Sequence, residues 1–475
     1  MRRPTLGLWA LLVSALPAAA ATAAAQAGSS PADRTLARDI FRELIEINTT
    51  DSLGNTPRAA RAMARRLAAA RFPAADVRVL IGPDATHGNL VARYRGTGTG
   101  GRPIIVFAHL DVVPARRADW SVDPFVFLER DGYFYGRGTT NDKVGDAILV
   151  ADFVRLKRAG FKPTRDLILV LTGDEETAGS CIQWLVTEHR DLLDGEFALN
   201  TDAGGGVLRD GRRVMFVVQA SEKVYATYAL EATDKGGHSS LPRPADNPVY
   251  RLAPALERLA HYQFPVKLNE VSRAFFEQSA AIETGQLADD MRGILRDPPD
   301  SAAVARLSAV PFYNSKLRTT CVATLVEAGH AENALPQSAR VTVNCRILPG
   351  EPASEVEATL RTLAADDRIG IRTIYAAIPS PPSPLTRAIM GPIEKLVAEQ
   401  FPNVPIVPVM EAGATDGLFL RNAGIPTYGV SAVFEEQNDV RAHGRDERLS
   451  VRSFYDALDF WYRMMQALAG AQSPS

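Results

Sequence analysis

Apolar and polar positions follow two rhythms along this chain, and the rhythm changes twice. In the first stretch, short apolar runs are separated by segments with helical spacing. Ile104-Ile105-Val106-Phe107-Ala108 and Leu167-Ile168-Leu169-Val170-Leu171 contain no polar position, the pattern of strands covered on both faces of a parallel sheet. Helical spacing covers 34–48 and 57–70, and Val144, Ile148, Leu149, Phe153 and Leu156 share one side of a further helix. Strands are predicted at 77–80, 90–94, 164–171 and 196–199, with a helix over 178–189. Strands alternating with helices imply a mostly parallel sheet, an α/β fold.

Around residue 220 the period becomes two. Residues 223–232, 317–326, 339–348 and 369–377 alternate as strands, and 248–262 and 353–363 are helical. The order β-α-β-β-α-β is that of a ferredoxin-like α+β module with an antiparallel sheet. Between its first helix and second strand, 265–314 is a long, charged insertion of helical character. The stretch 379–384, four prolines and two serines, reads as a linker. Behind it α/β character returns: a helix over 385–399, strands at 404–409 and 426–430, and an amphipathic helix over 449–467. One α/β domain, 28–220 and 379–475, is thus expected to be interrupted by the module 221–378.

The 475 residues are 46% hydrophobic and 23% charged with net charge −2, enough for about two or three soluble domains. A near-neutral chain without a basic block argues against nucleic acid as a partner. The start differs: Arg2 and Arg3 precede an apolar stretch over 6–16 and an alanine-rich stretch over 18–27. That is the pattern of a signal peptide, 1–27, cleaved near Ala25-Gln26-Ala27. Its apolar run falls short of the roughly 20 residues a membrane span needs. A secreted protein without a membrane anchor is expected, periplasmic if the host is Gram-negative. Cys181, Cys321 and Cys345 are too few for a disulfide framework. Buried free thiols are the favoured reading. A bridge between Cys321 and Cys345, on two strands that could be neighbours, is the alternative.

Candidate chemistry stands at the ends of the two apolar runs: His109-Leu110-Asp111 after the first and Asp174-Glu175-Glu176 after the second. Open α/β sheets place their active sites at the carboxyl ends of such strands. A carboxylate two residues after a metal-ligating His can accept the other ring N–H and fix the tautomer. Adjacent glutamates allow one to bind metal while the other takes a proton from water. Either string alone is common in surface loops; both at strand ends, with more ligand types downstream, point to a metal site. Arg346 stands out independently: Val341, Val343, Cys345 and Ile347 fall on one strand face, and Thr342, Asn344 and Arg346 on the other. A guanidinium so placed suits bidentate recognition of a carboxylate, the bland alternative being a solvated edge-strand arginine.

These motifs, in this order and over nearly all of the chain beyond the signal segment, resemble the M20 family of co-catalytic zinc peptidases and aminoacylases. The resemblance implies zinc ligands at His109, Glu176, Asp202 and His443, with Asp111 orienting His109 and Glu175 as general base. It implies that the interrupting module is a lid and dimerisation domain. In Gly236-Gly237-His238-Ser239-Ser240, His238 would then stabilise the oxyanion, usually in the partner subunit's site. Asn333 and Arg346 would grip the substrate's carboxylate. One position departs from the pattern: where the family has an Asp bridging two metals, this chain has Asn141, followed by Asp142. A neutral amide bridges two dications poorly. Asp142 shifting into the role, one tight and one weak metal, and an altered or deamidated Asn141 remain open; the favoured reading is a weakened second metal.

The expected function is an exported Zn2+-dependent hydrolase, with Co2+ or Mn2+ as possible substitutes. Its substrate would be a peptide cleaved next to a free carboxylate, with an N-acyl amino acid as the alternative and a homodimer as the assembly. A relative that binds peptide or metal without turnover is the competing class; Asn141 alone supports it.

Overall fold

The computed structural model describes residues 28–470, so the signal-peptide expectation lies outside the described residues. A ten-stranded sheet forms the centre. Ile104–His109 runs parallel to both Leu167–Thr172 and Phe197–Asn200, and Phe197–Asn200 runs parallel to Thr427–Gly429. Every residue of Ile104–His109 and Leu167–Thr172 is buried, because helices cover both faces, as a parallel arrangement requires. Pro31–Glu46, Lys143–Arg158 and Val451–Ala469 pack together on one face, where Phe41, Phe153, Leu458 and Trp461 are wholly buried.

The chain enters the second unit without a break. Arg212–Glu222, a strand of the large sheet, leads through Lys223 into Val224–Thr233 of a four-stranded sheet. Hydrophobic patterning does not reveal Gly205–Arg209 and Arg212–Glu222, because glycines and arginines open them and a charged pair, Glu222-Lys223, closes them in the core. In the four-stranded sheet Val224–Thr233 lies between Ser338–Ile347 and Gly370–Tyr375, and Thr320–Ala328 forms the outer edge beside Ser338–Ile347. All three pairings are antiparallel, which is the ferredoxin-like order. The insertion is helical, as its composition suggests: Glu270–Ile282, Gly285–Gly293, Ser301–Ser308 and Pro311–Leu317. Its core includes Val407 and Val409 of the large sheet, so the insertion braces the α/β unit.

The free-thiol expectation for Cys321 and Cys345 is corrected: the two form a disulfide. Thr320–Ala328 and Ser338–Ile347 pair with Cys321 directly opposite Cys345, their Cα atoms 4.1 Å apart, within bridging reach. Cys181 is buried and free. The proline-serine linker is anchored throughout. Ser383 donates its backbone N–H to Ala220 O (2.8 Å) and its hydroxyl to Thr427 O (2.8 Å), while Ser380 donates to Glu222 (2.9 Å).

Lys223 gives the fold a titratable signature. Its buried amine donates to Thr320 Oγ1 at 3.2 Å. Burial first, then the charges of Lys316 and Arg346, push its pKa from 10.5 down to about 7. Between those values the unfolded chain carries a proton that the folded chain lacks, so stability rises with pH across this window and is lower below it. Lys223→Met is expected to flatten that rise by up to about 1.4 kcal/mol per pH unit, the slope for one proton. Denaturant titrations between pH 7 and 10 with the same slope in both proteins would contradict it.

Candidate active site

The register of the two buried strands sets His109 opposite Thr172, so the loops that follow them start side by side. Asp111 ties these loops together: its carboxylate accepts the backbone N–H of Glu175 (3.1 Å) and of Glu176 (2.9 Å). The ring of His109 is held differently from the sequence expectation. Nδ1 lies 3.0 Å from the backbone oxygen of Asp111 and 3.5 Å from its carboxylate. The Asp111 carbonyl thus orients the imidazole, while its side chain, already engaged by two N–H groups, positions the glutamates.

With Nδ1 bonded to a carbonyl, Nε2 presents its lone pair to the site. Nε2 lies 2.7 Å from Asn141 Oδ1, 3.4 Å from Asp202 Oδ1 and 3.9 Å from Glu175 Oε2. Beyond Asn141, its Nδ2 lies 2.9 Å from His443 Nε2, which lies 2.7 Å from Glu176 Oε1. One amide therefore spans two ligand sets, His109 with Asp202 and His443 with Glu176. Asp142 does not take that place. It is buried behind the first set, where its Oδ2 accepts from Thr201 Oγ1 at 2.7 Å, and it groups with His109 and Asp202 only. Gly145, one turn into the next helix, permits this packing, since a Cβ there would stand 2.0 Å from Thr201 Oγ1 and 2.6 Å from Asp142 Oδ1.

The electrostatics call for a cation. Burial, then the charge of Asp202, push Glu175 and Asp142 well above the ordinary carboxylate range. Burial also raises Asp146, and lifts Asp416 to about 8. Burial alone would disfavour an imidazolium at His109, yet Asp202, Asp111 and Glu175 override it and raise its pKa strongly. Asp142 Oδ1, both oxygens of Asp146 and Asp416 Oδ1 are buried without a hydrogen-bond partner. Imidazole and carboxylate donors facing one another over a few ångströms, with surplus negative charge behind them, fit a divalent metal such as zinc.

In front of the buried groups lies a cavity of about 830 Å³, which Asp416 also lines. Asn141, Glu175, Glu176, Asp202 and His443 form one wall, Tyr225, Arg346 and Tyr375 of the small sheet form another, and Ile378, Leu418, Phe419 and Val440 supply apolar surface. Arg346 stacks on Tyr225 with its guanidinium carbon 4.7 Å from the ring centroid. It has no carboxylate partner among the described residues. His238 and Asn333 are not brought there. They sit on the two-stranded ribbon Gly237–His238 and Ala334–Leu335 and its approach, where Ser239 N donates to Asn333 O at 3.0 Å, and neither lines the cavity.

Several participants escape hydrophobic patterning. Glu222 is wholly buried and accepts from Arg421 Nη1 (2.9 Å) and from the Thr415 N–H (3.1 Å) and hydroxyl (2.9 Å), fixing the segment that carries Asp416. Glu447 and Arg137 are likewise buried charges beside the ligands. Their only sequence signal is proximity to a glycine-flanked loop or to His443.

The profile of peptidase family M20/M25/M40 matches residues 105–467. The N-fatty-acyl-amino acid synthase/hydrolase of Homo sapiens is 30% identical over 80% of this chain and 77% of its own length. A probable carboxypeptidase S-like protein of Dictyostelium discoideum is 28% identical over 80% of this chain and 74% of its own. The structure of an M20 family metallo-carboxypeptidase from Sulfolobus solfataricus superposes with a TM-score of 0.68 at 16% identity, covering 91% of this chain and 99% of that one.

Proposed function

The chain belongs to peptidase family M20/M25/M40, and on that premise we propose a metal-dependent hydrolase that cleaves an amide next to a free carboxylate in peptides. One observation carries this reading: Arg346, without an acidic partner among the described residues, faces the cavity that Asn141, Glu176, Asp202 and His443 line, with His109 buried behind Asn141 and Asp202. A carboxylate on Arg346 would bring the neighbouring amide toward the cluster. A second reading, hydrolysis of N-acyl amino acids, is favoured by the apolar wall of Ile378, Leu418, Phe419 and Val440 and by the name of the human relative.

His109 and Asp202 would hold one divalent ion, Glu176 and His443 a second, with Asn141 between them. When bound, such ions acidify water and polarise a carbonyl oxygen. Glu175, as carboxylate, accepts the proton of the attacking water and returns it to the leaving nitrogen. Its buried setting raises its proton affinity, which favours that transfer, and divalent ions held by the neighbouring ligands would favour its ionised form. Because Asn141 turns its oxygen toward His109 and its NH2 group toward His443, the second ion would be the weaker one.

A panel of dipeptides and N-acyl amino acids, run with zinc, cobalt or manganese and with a chelator, tests this reading. Turnover restored by metal after chelation is expected. Purified protein is expected to retain about one ion after dialysis, and Asn141→Asp to retain two, with the second about 10–100-fold tighter. Metal-free wild type that binds peptide without turnover would replace the hydrolase with a binding protein.

We further propose a homodimer through the small sheet. His238 and Asn333 lie away from their own cavity, and the edge strand Thr320–Ala328 exposes Val322, Leu325 and Val326. A partner could bring His238 to the site. Sedimentation showing a monomer at micromolar concentration would remove this proposal. We propose export as well, on the N-terminal pattern of charged, apolar and small residues. No helix of the described residues is long and apolar enough to cross a membrane. Mature protein beginning well upstream of Gly28 would contradict the cleavage proposed.

A further inference from the structure

We infer that Glu447 and Arg137 form a clamp that sets the positions of His443 and Asn141, and so controls the second metal. The inference rests on the metal-hydrolase reading. Neither residue touches the reacting atoms; both are positioning residues.

Glu447 is wholly buried, and its carboxylate accepts five hydrogen bonds from one loop. Oε1 takes the N–H (2.7 Å) and hydroxyl (2.9 Å) of Thr140 and the N–H of Asn141 (3.3 Å). Oε2 takes the N–H of Gly138 (3.1 Å) and Nη1 of Arg137 (2.5 Å). The loop that presents Asn141 is thus wrapped around a single anionic group. Gly138 makes the wrap possible: its φ is 88°, and a Cβ there would stand 2.9 Å from Val112 Cγ1 and from Lys143 Cδ.

The other end of the clamp grips the loop that presents His443. Arg137 Nη2 donates to the carbonyls of His443 (3.3 Å) and Gly444 (3.0 Å), while the guanidinium stacks over Trp120, 5.0 Å from the ring centroid. His443 needs that grip, because its φ is 61°, a left-handed conformation that non-glycine residues adopt at a cost. Its imidazole is half exposed and, among the described residues, meets only Glu176 and Asn141 through hydrogen bonds. His109, by contrast, ends a fully buried strand and holds its ring through the Asp111 carbonyl. Losing the clamp should therefore loosen the His443 side more than the His109 side, where Asn141 is one donor beside a rigidly held ring and Asp202. A carboxylate and guanidinium that merely stabilised the fold would show no such asymmetry.

Glu447→Gln keeps the shape but places an NH2 group among N–H donors. Arg137→Lys keeps the charge but cannot reach Glu447 and two carbonyls together. Each full-length mature variant is titrated with cobalt ion, following the visible absorption of each equivalent. The titrations are repeated on the Asn141→Asp background, where the second ion is held more tightly. The second equivalent is expected to weaken about 10–100-fold and the first by less than about threefold, the usual scale of effects from residues behind the ligands. In turnover kcat is expected to fall with KM little changed. Arg137→Lys carries the test if Glu447→Gln fails to fold. Equal weakening of both equivalents, or two unchanged equivalents in both variants, overturns the clamp while leaving the hydrolase reading intact. A wild-type chain that takes up no cobalt overturns the metal reading, and the clamp with it.

Discussion

Replacing Glu175 with Gln is expected to lower kcat by about 100- to 10,000-fold, the range that a positioned general acid–base contributes, while metal content stays unchanged. The two halves of this expectation have separate causes. Glutamine matches glutamate in size but cannot take a proton from water. Asp111 holds this loop through the backbone N–H groups of Glu175 and Glu176, and those contacts survive the substitution, so Glu176 keeps its place beside His443. Glu175 Oε2 also stands farther from His109 Nε2 (3.9 Å) than Asn141 Oδ1 (2.7 Å) or Asp202 Oδ1 (3.4 Å). Turnover and bound metal measured on the same preparation decide the matter. Near-normal turnover would remove Glu175 as the base. Loss of metal together with activity would make it a ligand instead.

Arg346→Ala is expected to cost about 100- to 1,000-fold in kcat/KM on substrates with a free carboxylate. That corresponds to roughly 3–4 kcal/mol, within the range for leaving one member of a desolvated charge pair unpaired. Burial disfavours the charged guanidinium, and its face rests on Tyr225, which in turn meets Tyr375 edge-on at 5.1 Å. A receptor held this rigidly loses little on binding. Arg346→Lys should recover only part of the loss, because an ammonium offers neither the fork nor the stacking plane. Substrates whose carboxylate is blocked as a carboxamide provide the control: they should be poor for wild type and no poorer for Arg346→Ala. An equal loss on free and blocked substrates would show that Arg346 shapes the cavity without reading the carboxylate.

Local pattern alone settles a good deal in this chain. Ile104 to Ala108 and Leu167 to Leu171 have no polar position to expose, so they must be interior strands, and the ligands that follow them must stand at a sheet's carboxyl edge. The alternation around Arg346 fixes its face, because a strand turns successive side chains to opposite sides. The helical insertion was legible for a similar reason: its spacing is local.

What the fold alone decided concerns pairs far apart in the chain. Cys321 is bridged because strand register sets it opposite Cys345. Asp111 supports the glutamates with its carboxylate and His109 with its carbonyl, a division of labour visible only once two loops meet. Asn141, and not Asp142, spans the ligand sets, since helix packing buries Asp142 against Thr201. Glu222, Lys223, Arg137 and Glu447 are charged residues that any hydrophobic pattern assigns to the surface. They lie inside because tertiary contacts supply partners for most of their polar atoms, and a sequence records which residues are charged but not which distant groups will satisfy them.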